Sequence, residues 1–69
     1  MANVYKHYKG GIYNVIGTGI HTETEEKLVF YEGADGRLWA RPFEMFIELI
    51  EVDGKTVPRF EPLGSFFRN

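Results

Sequence analysis

The sequence predicts a mainly β fold, a small five-stranded SH3-like barrel carrying one or two short helical turns. Three observations predict it. Short runs rich in β-branched and aromatic residues recur along the chain. Two Asp-Gly pairs, Asp35-Gly36 and Asp53-Gly54, punctuate those runs with the strongest short hairpin signal. Gly17 and Gly19 sit inside the longest run, where a sheet that curls on itself needs a bend.

The elements follow in order. Residues 12–20 (Ile12-Tyr13-Asn14-Val15-Ile16-Gly17-Thr18-Gly19-Ile20) make a strand, and its glycines argue for a bulge or a close backbone approach. The polar stretch His21-Thr22-Glu23-Thr24-Glu25-Glu26 interrupts the strands. Thr22 and Glu25 have the spacing of a capping box, in which each side chain bonds the other's backbone N–H, so a helical turn or tight loop is expected. Residues 27–32 form the next strand, Gly33-Ala34-Asp35-Gly36 turns the chain, and residues 37–41 return. Pro42, lacking a ladder donor, stops that strand and opens one short helical or 3₁₀ turn over 42–46. Residues 47–52 read as a strand because Asp53-Gly54 stands between them and residues 55–57. Pro58 confines this last strand to an edge or a short pairing. Phe66-Phe67 near the end are suited to pack on the body or on another copy. A curved, partly open sheet with a short helix is the competing arrangement.

Sixty-nine residues allow a single domain, 1–69, without linker or repeat. A chain this short buries only about 60% of its unfolded surface. With no cysteine, neither disulfides nor thiolate metal ligands are available. Stabilisation therefore falls to the six Phe, four Tyr and one Trp, each of which buries a large area. No apolar run approaches the roughly 18 residues of a membrane span, and residues 1–7 lack the apolar centre of a signal peptide. A cytoplasmic protein without membrane association is expected. Eight Lys/Arg against ten Asp/Glu give a net charge of −2, which argues against strong non-specific nucleic-acid binding. The charges are uneven: Lys6, His7 and Lys9 cluster at the start, and Glu23, Glu25 and Glu26 in the first loop.

Trp39 and Arg41 lie two apart on a strand, so their side chains share a face, and Tyr31 joins them across the 33–36 turn if the hairpin is regular. One reading buries Trp39 in the core with Arg41 extended over it. The other makes an aromatic platform with a cationic edge, able to stack a ring and bond a phosphate or carboxylate. Leu38 and Ala40 take the opposite face and, being apolar, are expected to be the core side. His21 beside Glu23, Glu25 and Glu26 invites a metal or general-base reading, but a metal site draws on three or four ligands and none is assembled here. Tyr5, Tyr8 and Tyr13 interleave with Lys6, His7 and Lys9 in a pattern suited either to RNA contact or to covering a small barrel. Arg59 and Phe60 form another cation–aromatic pair. No catalytic triad or carboxylate pair stands out, so the chain carries no catalytic signature.

Several separated motifs together resemble a family of small bacterial proteins classed as a domain of unknown function. They are Tyr5-Lys6-His7-Tyr8-Lys9-Gly10-Gly11-Ile12-Tyr13, His21-Thr22-Glu23-Thr24, Val29 with Tyr31 two positions on, Leu38-Trp39-Ala40-Arg41-Pro42-Phe43-Glu44-Met45-Phe46 and Val57-Pro58-Arg59-Phe60. The resemblance runs from Tyr5 to about Glu61 and implies a stand-alone cytoplasmic β-domain. The expectation is a non-catalytic module that binds a nucleotide, a nucleic-acid segment or a peptide through His21, Glu25, Tyr31, Trp39, Arg41 and Arg59, with no cofactor and no metal. The alternatives are an interaction subunit associating through strand edges and the Phe66-Phe67 pair, as a monomer or weak homodimer, and a small hydrolase using His21 with a glutamate.

Overall fold

The structure is a computed structural model that describes residues 3–64. Its elements are β1 (Val4–His7), β2 (Ile12–Ile20), β3 (Lys27–Gly33), β4 (Leu38–Pro42), α1 (Phe43–Phe46), β5 (Leu49–Val52), β6 (Lys55–Pro58) and β7 (Phe60–Gly64). β4, β3, β2, β1 and β7 form one antiparallel sheet in that order, and β5 and β6 form a second of two strands.

Seven strands in two sheets replace the expected five in one barrel, and the barrel is not closed: β4 and β7 end the larger sheet without pairing. The curved, partly open arrangement with a short helix is the one adopted. Two strands escaped the sequence reading for physical reasons. β1 is four residues long and alternates with Lys6 and His7, so it reads as a basic strip. β7 contains Pro62, which argues against a strand. At the sheet edge, however, a missing backbone donor does no harm. The Phe66-Phe67 pair lies outside the described residues.

Local chemistry explains the rest. Asp53 and Gly54 have φ of 52° and 77°, the two left-handed residues that a two-residue hairpin turn requires. In the β3–β4 turn Gly36 has φ 81°, and Asp35 Oδ1 accepts the Arg37 backbone N–H at 2.9 Å. β2 and β3 shift register between Val15 and Gly17, which is the expected bulge, with Ile16 as the extra residue. Gly19 is a close approach: a Cβ there would stand 2.7 Å from the Phe30 ring. α1 covers 43–46 of the predicted 42–46 turn, with Pro42 instead ending β4 as the helix's N-cap, and because Ile47 caps the other end, β5 begins at Leu49 rather than at residue 47. Among the described residues no helix is long and apolar enough to cross a membrane.

The core is aromatic. Val29, Tyr31, Phe46 and Phe60 are buried, with Tyr5, Tyr13, Val15 and Phe43 packed against them. Phe46 from α1 and Phe60 from β7 stack with centroids 4.2 Å apart and planes 8° from parallel. Tyr31 and Tyr13 approach Phe60 edge-on at 5.5 and 5.9 Å, and Tyr5 meets Phe46 edge-on at 5.1 Å. These offset and edge-to-face contacts are the favourable aromatic geometries.

Phe60 should therefore dominate stability. Phe60→Ala is expected to cost about 3–5 kcal/mol, most of the roughly 3–10 kcal/mol that a chain of this size holds. Phe30→Ala, on the outer face and 37% exposed, should cost about 1–2 kcal/mol. Urea unfolding of both variants checks this, and equal losses would remove Phe60 from the centre of the fold.

Candidate functional site

Strand pairing assembles the first part of the site. Tyr31 lies opposite Trp39 and Val29 opposite Arg41, so all four side chains share one face of the sheet. Val29 and Tyr31 are 3% and 5% exposed, which makes this the packed face. The expectation that Leu38 and Ala40 face the core is therefore reversed. They lie on the outer surface, and Leu38 is 67% exposed. Alternation separates the two faces of a strand but does not say which one is covered. Because β4 is an edge strand, the packing tapers across it, and Trp39 remains 43% exposed although it points inward.

Arg41 is held by its surroundings. Its Nε donates to Tyr31 Oη at 3.3 Å, and its guanidinium lies 5.6 Å from the Phe60 ring. Among the described residues it makes no ion pair with a carboxylate. Trp39 has the Arg37 guanidinium 5.6 Å from its ring. Its indole lies over Gly33, where an added Cβ would meet Trp39 Nε1 at 3.6 Å and Tyr13 at 3.3 Å.

Arg59 reaches the neighbourhood from the β6–β7 junction. Its backbone N–H donates to the Glu48 carbonyl at 2.9 Å, and its carbonyl accepts the Tyr8 N–H at 2.9 Å. Its Nη2 pairs with Glu48 Oε1 at 3.0 Å, while its Nε is buried without a partner among the described residues. The guanidinium lies 6.0 Å from the Tyr8 ring.

His7 links the two arginines. It stands edge-on to Phe60 at 4.9 Å and tilted against Tyr8 at 4.7 Å, and its Nδ1 accepts the Lys9 backbone N–H at 3.1 Å. Burial lowers its pKa below the usual imidazole value, and the charges of Arg41, Arg59 and Lys9 lower it further. Sequence reasoning placed His7 only in a basic strip. The usable signal was the alternation of Tyr5 and His7 against Val4 and Lys6, which puts His7 on the face of Tyr5.

Of the predicted site residues, Tyr31, Trp39 and Arg41 come together, and Arg59 acts on the same histidine as Arg41. His21 and Glu25 do not join them: their loop lies beyond the Ile20–Lys27 pair, four residues along β3 from Tyr31. The expected capping box is also absent. His21 Nδ1 takes that role by accepting the backbone N–H groups of Glu23 and Thr24 at 3.1 and 3.2 Å. The Glu25 N–H donates to the His21 carbonyl at 2.9 Å, with Glu25 at φ 61°. No helix follows that could supply further orphan donors, so a reciprocal Thr22–Glu25 pair has nothing to cap.

The larger cavities lie elsewhere. A cleft of 520 Å³ runs between the end of β1 and the β5–β6 hairpin, with Lys6, His7 and Lys55 set against Asp53 and Glu61. A second, of 370 Å³, is lined by Val4, Ile12, Tyr13 and Glu32, and a third, of 340 Å³, by Val29, Phe43, Phe46 and Phe60 of the core. Trp39 and Arg41 line none of the three, and of their face only the Trp39 end is open to solvent, at 43% exposure. Among the described residues no group of His, Cys, Asp and Glu could hold a metal ion.

Comparison with known proteins gives two matches. The model of DUF1653, described as a protein of unknown function, matches residues 3–62. The fold is similar to the crystal structure of a protein belonging to DUF1653 from Bordetella bronchiseptica, with a TM-score of 0.85 and 27% identity over 100% of this chain and 94% of that one. No curated protein matches.

The setting of His7 has a measurable consequence. Its folded pKa lies below its unfolded value of about 6.5, so the unfolded chain binds the proton more readily. The contribution to stability is complete above about pH 6.5 and is lost as pH falls through the folded pKa. Melting temperature should fall over that window, and His7→Gln should flatten the fall. An NMR titration of Arg41→Met should show the His7 pKa moving up towards the ordinary value. An unmoved pKa would mean that the two groups do not interact.

Proposed function

The chain belongs to the DUF1653 family of proteins of unknown function, and on that footing we propose that it is a cytoplasmic, non-catalytic binding module acting through the face of Tyr31, Trp39 and Arg41. One observation carries this reading. Arg41 is fixed by Tyr31 Oη beside a half-exposed Trp39, and among the described residues no carboxylate neutralises it. A guanidinium offers a planar fork of donors to a carboxylate or phosphate, and an exposed indole offers a stacking surface. The ligand class is therefore one that joins a planar ring to an anionic group: a nucleotide, a short single-stranded nucleic-acid segment, or a peptide with aromatic and acidic side chains.

Arg59 is the second cation, partly neutralised by Glu48. His7, held towards its neutral form, lines the neighbouring cleft and contributes an imidazole rather than a third full charge. Non-catalytic recognition is supported by the surroundings of this histidine. Its Nδ1 is engaged by a backbone N–H and its ring is packed on Phe60, an arrangement that positions it without pairing it to a nucleophile. The fold is read as an SH3-like barrel left open between β4 and β7, which is what leaves this face accessible.

Trp39 is the one tryptophan of the sequence, so its fluorescence reports directly on the site. Titration with adenosine monophosphate, a short oligothymidylate and an acidic Tyr-containing peptide should change its emission for at least one probe. Trp39→Ala, followed by calorimetry, and Arg41→Ala should each weaken that binding about tenfold or more, roughly 1.4 kcal/mol. His21→Ala should leave it unchanged. Binding that survives both Trp39→Ala and Arg41→Ala would place the site elsewhere.

A further inference from the structure

One edge of the larger sheet is unpaired among the described residues, and its residues complement themselves. β4 is outermost there and, among the described residues, pairs only with β3. The Gly33 N–H donates to the Arg37 carbonyl at 3.0 Å. Bonded pairs alternate along an antiparallel ladder, so Tyr31–Trp39 and Val29–Arg41 are also bonded pairs. The backbone groups of Leu38, Ala40 and Pro42 therefore point away from β3. Exposed edges are normally guarded by charged residues, prolines or bulges. β7, at the other end, has Glu61, Pro62 and a register shift in its pairing with β1. β4 instead presents Leu38 at 67% exposure, Trp39 at 43% and an exposed Ala40; its one charge, Arg41, lies on the inner face and Pro42 stands at its end.

We infer that β4 pairs antiparallel with β4 of a second copy about a two-fold axis at Ala40. Ala40 then faces the partner's Ala40 and exchanges two hydrogen bonds with it. Each Leu38 N–H donates to the carbonyl of the partner's Pro42, and the missing proline donor removes only one bond on each side. On the outer face Leu38 packs against the partner's Pro42. On the inner face each Arg41 lies across from the partner's Trp39, the pairing that cation–π attraction favours, and no like charges stand opposite one another. Beyond the strand, the same register sets Arg37 opposite the partner's Phe43, where α1 begins. The pairing goes beyond the binding reading and needs no ligand. It sets Trp39 of one copy and Arg41 of the other in one row, so each recognition face includes a residue from both chains.

The chain has no cysteine, so single-cysteine variants test the register without background. Oxidised Ala40→Cys should cross-link rapidly, because facing Cα atoms in a bonded pair lie about 5.5 Å apart, within disulfide range. Leu38→Cys should cross-link far more slowly, its two copies being four residues, about 14 Å, out of register. Sedimentation of the unmodified protein should show a monomer–dimer equilibrium, and the Leu38 and Ala40 amides should gain protection from hydrogen exchange as concentration rises. Ala40→Lys, which opposes two like charges on an exposed surface, should weaken the dimer about tenfold or more. A monomer up to about 1 mM, equal cross-linking of the two cysteine variants, amide exchange independent of concentration, or a dimer indifferent to Ala40→Lys would each overturn the pairing. None of these results bears on whether Trp39 and Arg41 bind a ligand in one chain.

Discussion

The Phe46–Phe60 stack holds this fold shut. The edges of the larger sheet, β4 and β7, are not joined by a hydrogen-bonded ladder, so something else must keep its two ends facing each other. Phe60 on β7 and Phe46 on α1, which follows directly from β4, do this through parallel rings 4.2 Å apart. Tyr5, Tyr13, Tyr31 and His7 gather around that pair edge-on or tilted. A 69-residue chain has few core positions and no disulfide, so large rings supply the buried area that more numerous aliphatic residues would supply in a larger domain. The same stack sets the site, because Arg41 and His7 both take their positions against the Phe60 ring.

What could be read from the sequence was what local geometry decides. The extent of β2, the helical turn after Pro42 and the two Asp-Gly turns follow from residue types within a few positions. The common face of Trp39 and Arg41 follows from strand period alone. The missed features all depend on contacts distant in sequence. β1 and β7 become strands by pairing with each other and, for β1, with β2. Leu38 and Ala40 appeared to be core residues because they are apolar, yet the packed side is chosen by Phe46 and Phe60, which no pattern within β4 reveals. His21 appeared to be near the site because its neighbours are carboxylates. The β2–β3 register instead carries it past the far end of the hairpin, where its ring closes a turn.

The electrostatics of the site differ from those of the whole chain. A net charge of −2 gives no general attraction for anions, yet two guanidinium groups and an imidazole are drawn together here. Their mutual repulsion is relieved in two ways. Glu48 pairs with Arg59, and His7 is biased towards its neutral form by burial and by the arginines themselves. Arg41 is left with a phenol oxygen and the face of a phenylalanine. Both orient the guanidinium, and neither cancels its charge. For the anionic ligand proposed here, a donor already aimed would lose less side-chain entropy on binding than a freely rotating lysine.

The absence of barrel closure connects the fold with the proposed recognition. Had β4 paired with β7, Leu38, Ala40 and Pro42 would have spent their outward backbone groups on a ladder, and the Trp39–Arg41 row would lie inside a sealed barrel. Closing instead through α1 and the Phe46–Phe60 stack keeps the core covered at one end of β4. At the other end Trp39 remains 43% exposed on its inward face and Leu38 67% exposed on its outer one. An unguarded apolar strand edge is a hazard that selection usually removes with a lysine, a bulge or an early proline. β7 carries such protection in Glu61 and Pro62, while β4 has its one charge, Arg41, on the inner face and its proline at the last position. That difference between the two ends of one sheet is what favours β4 over β7 for the proposed pairing.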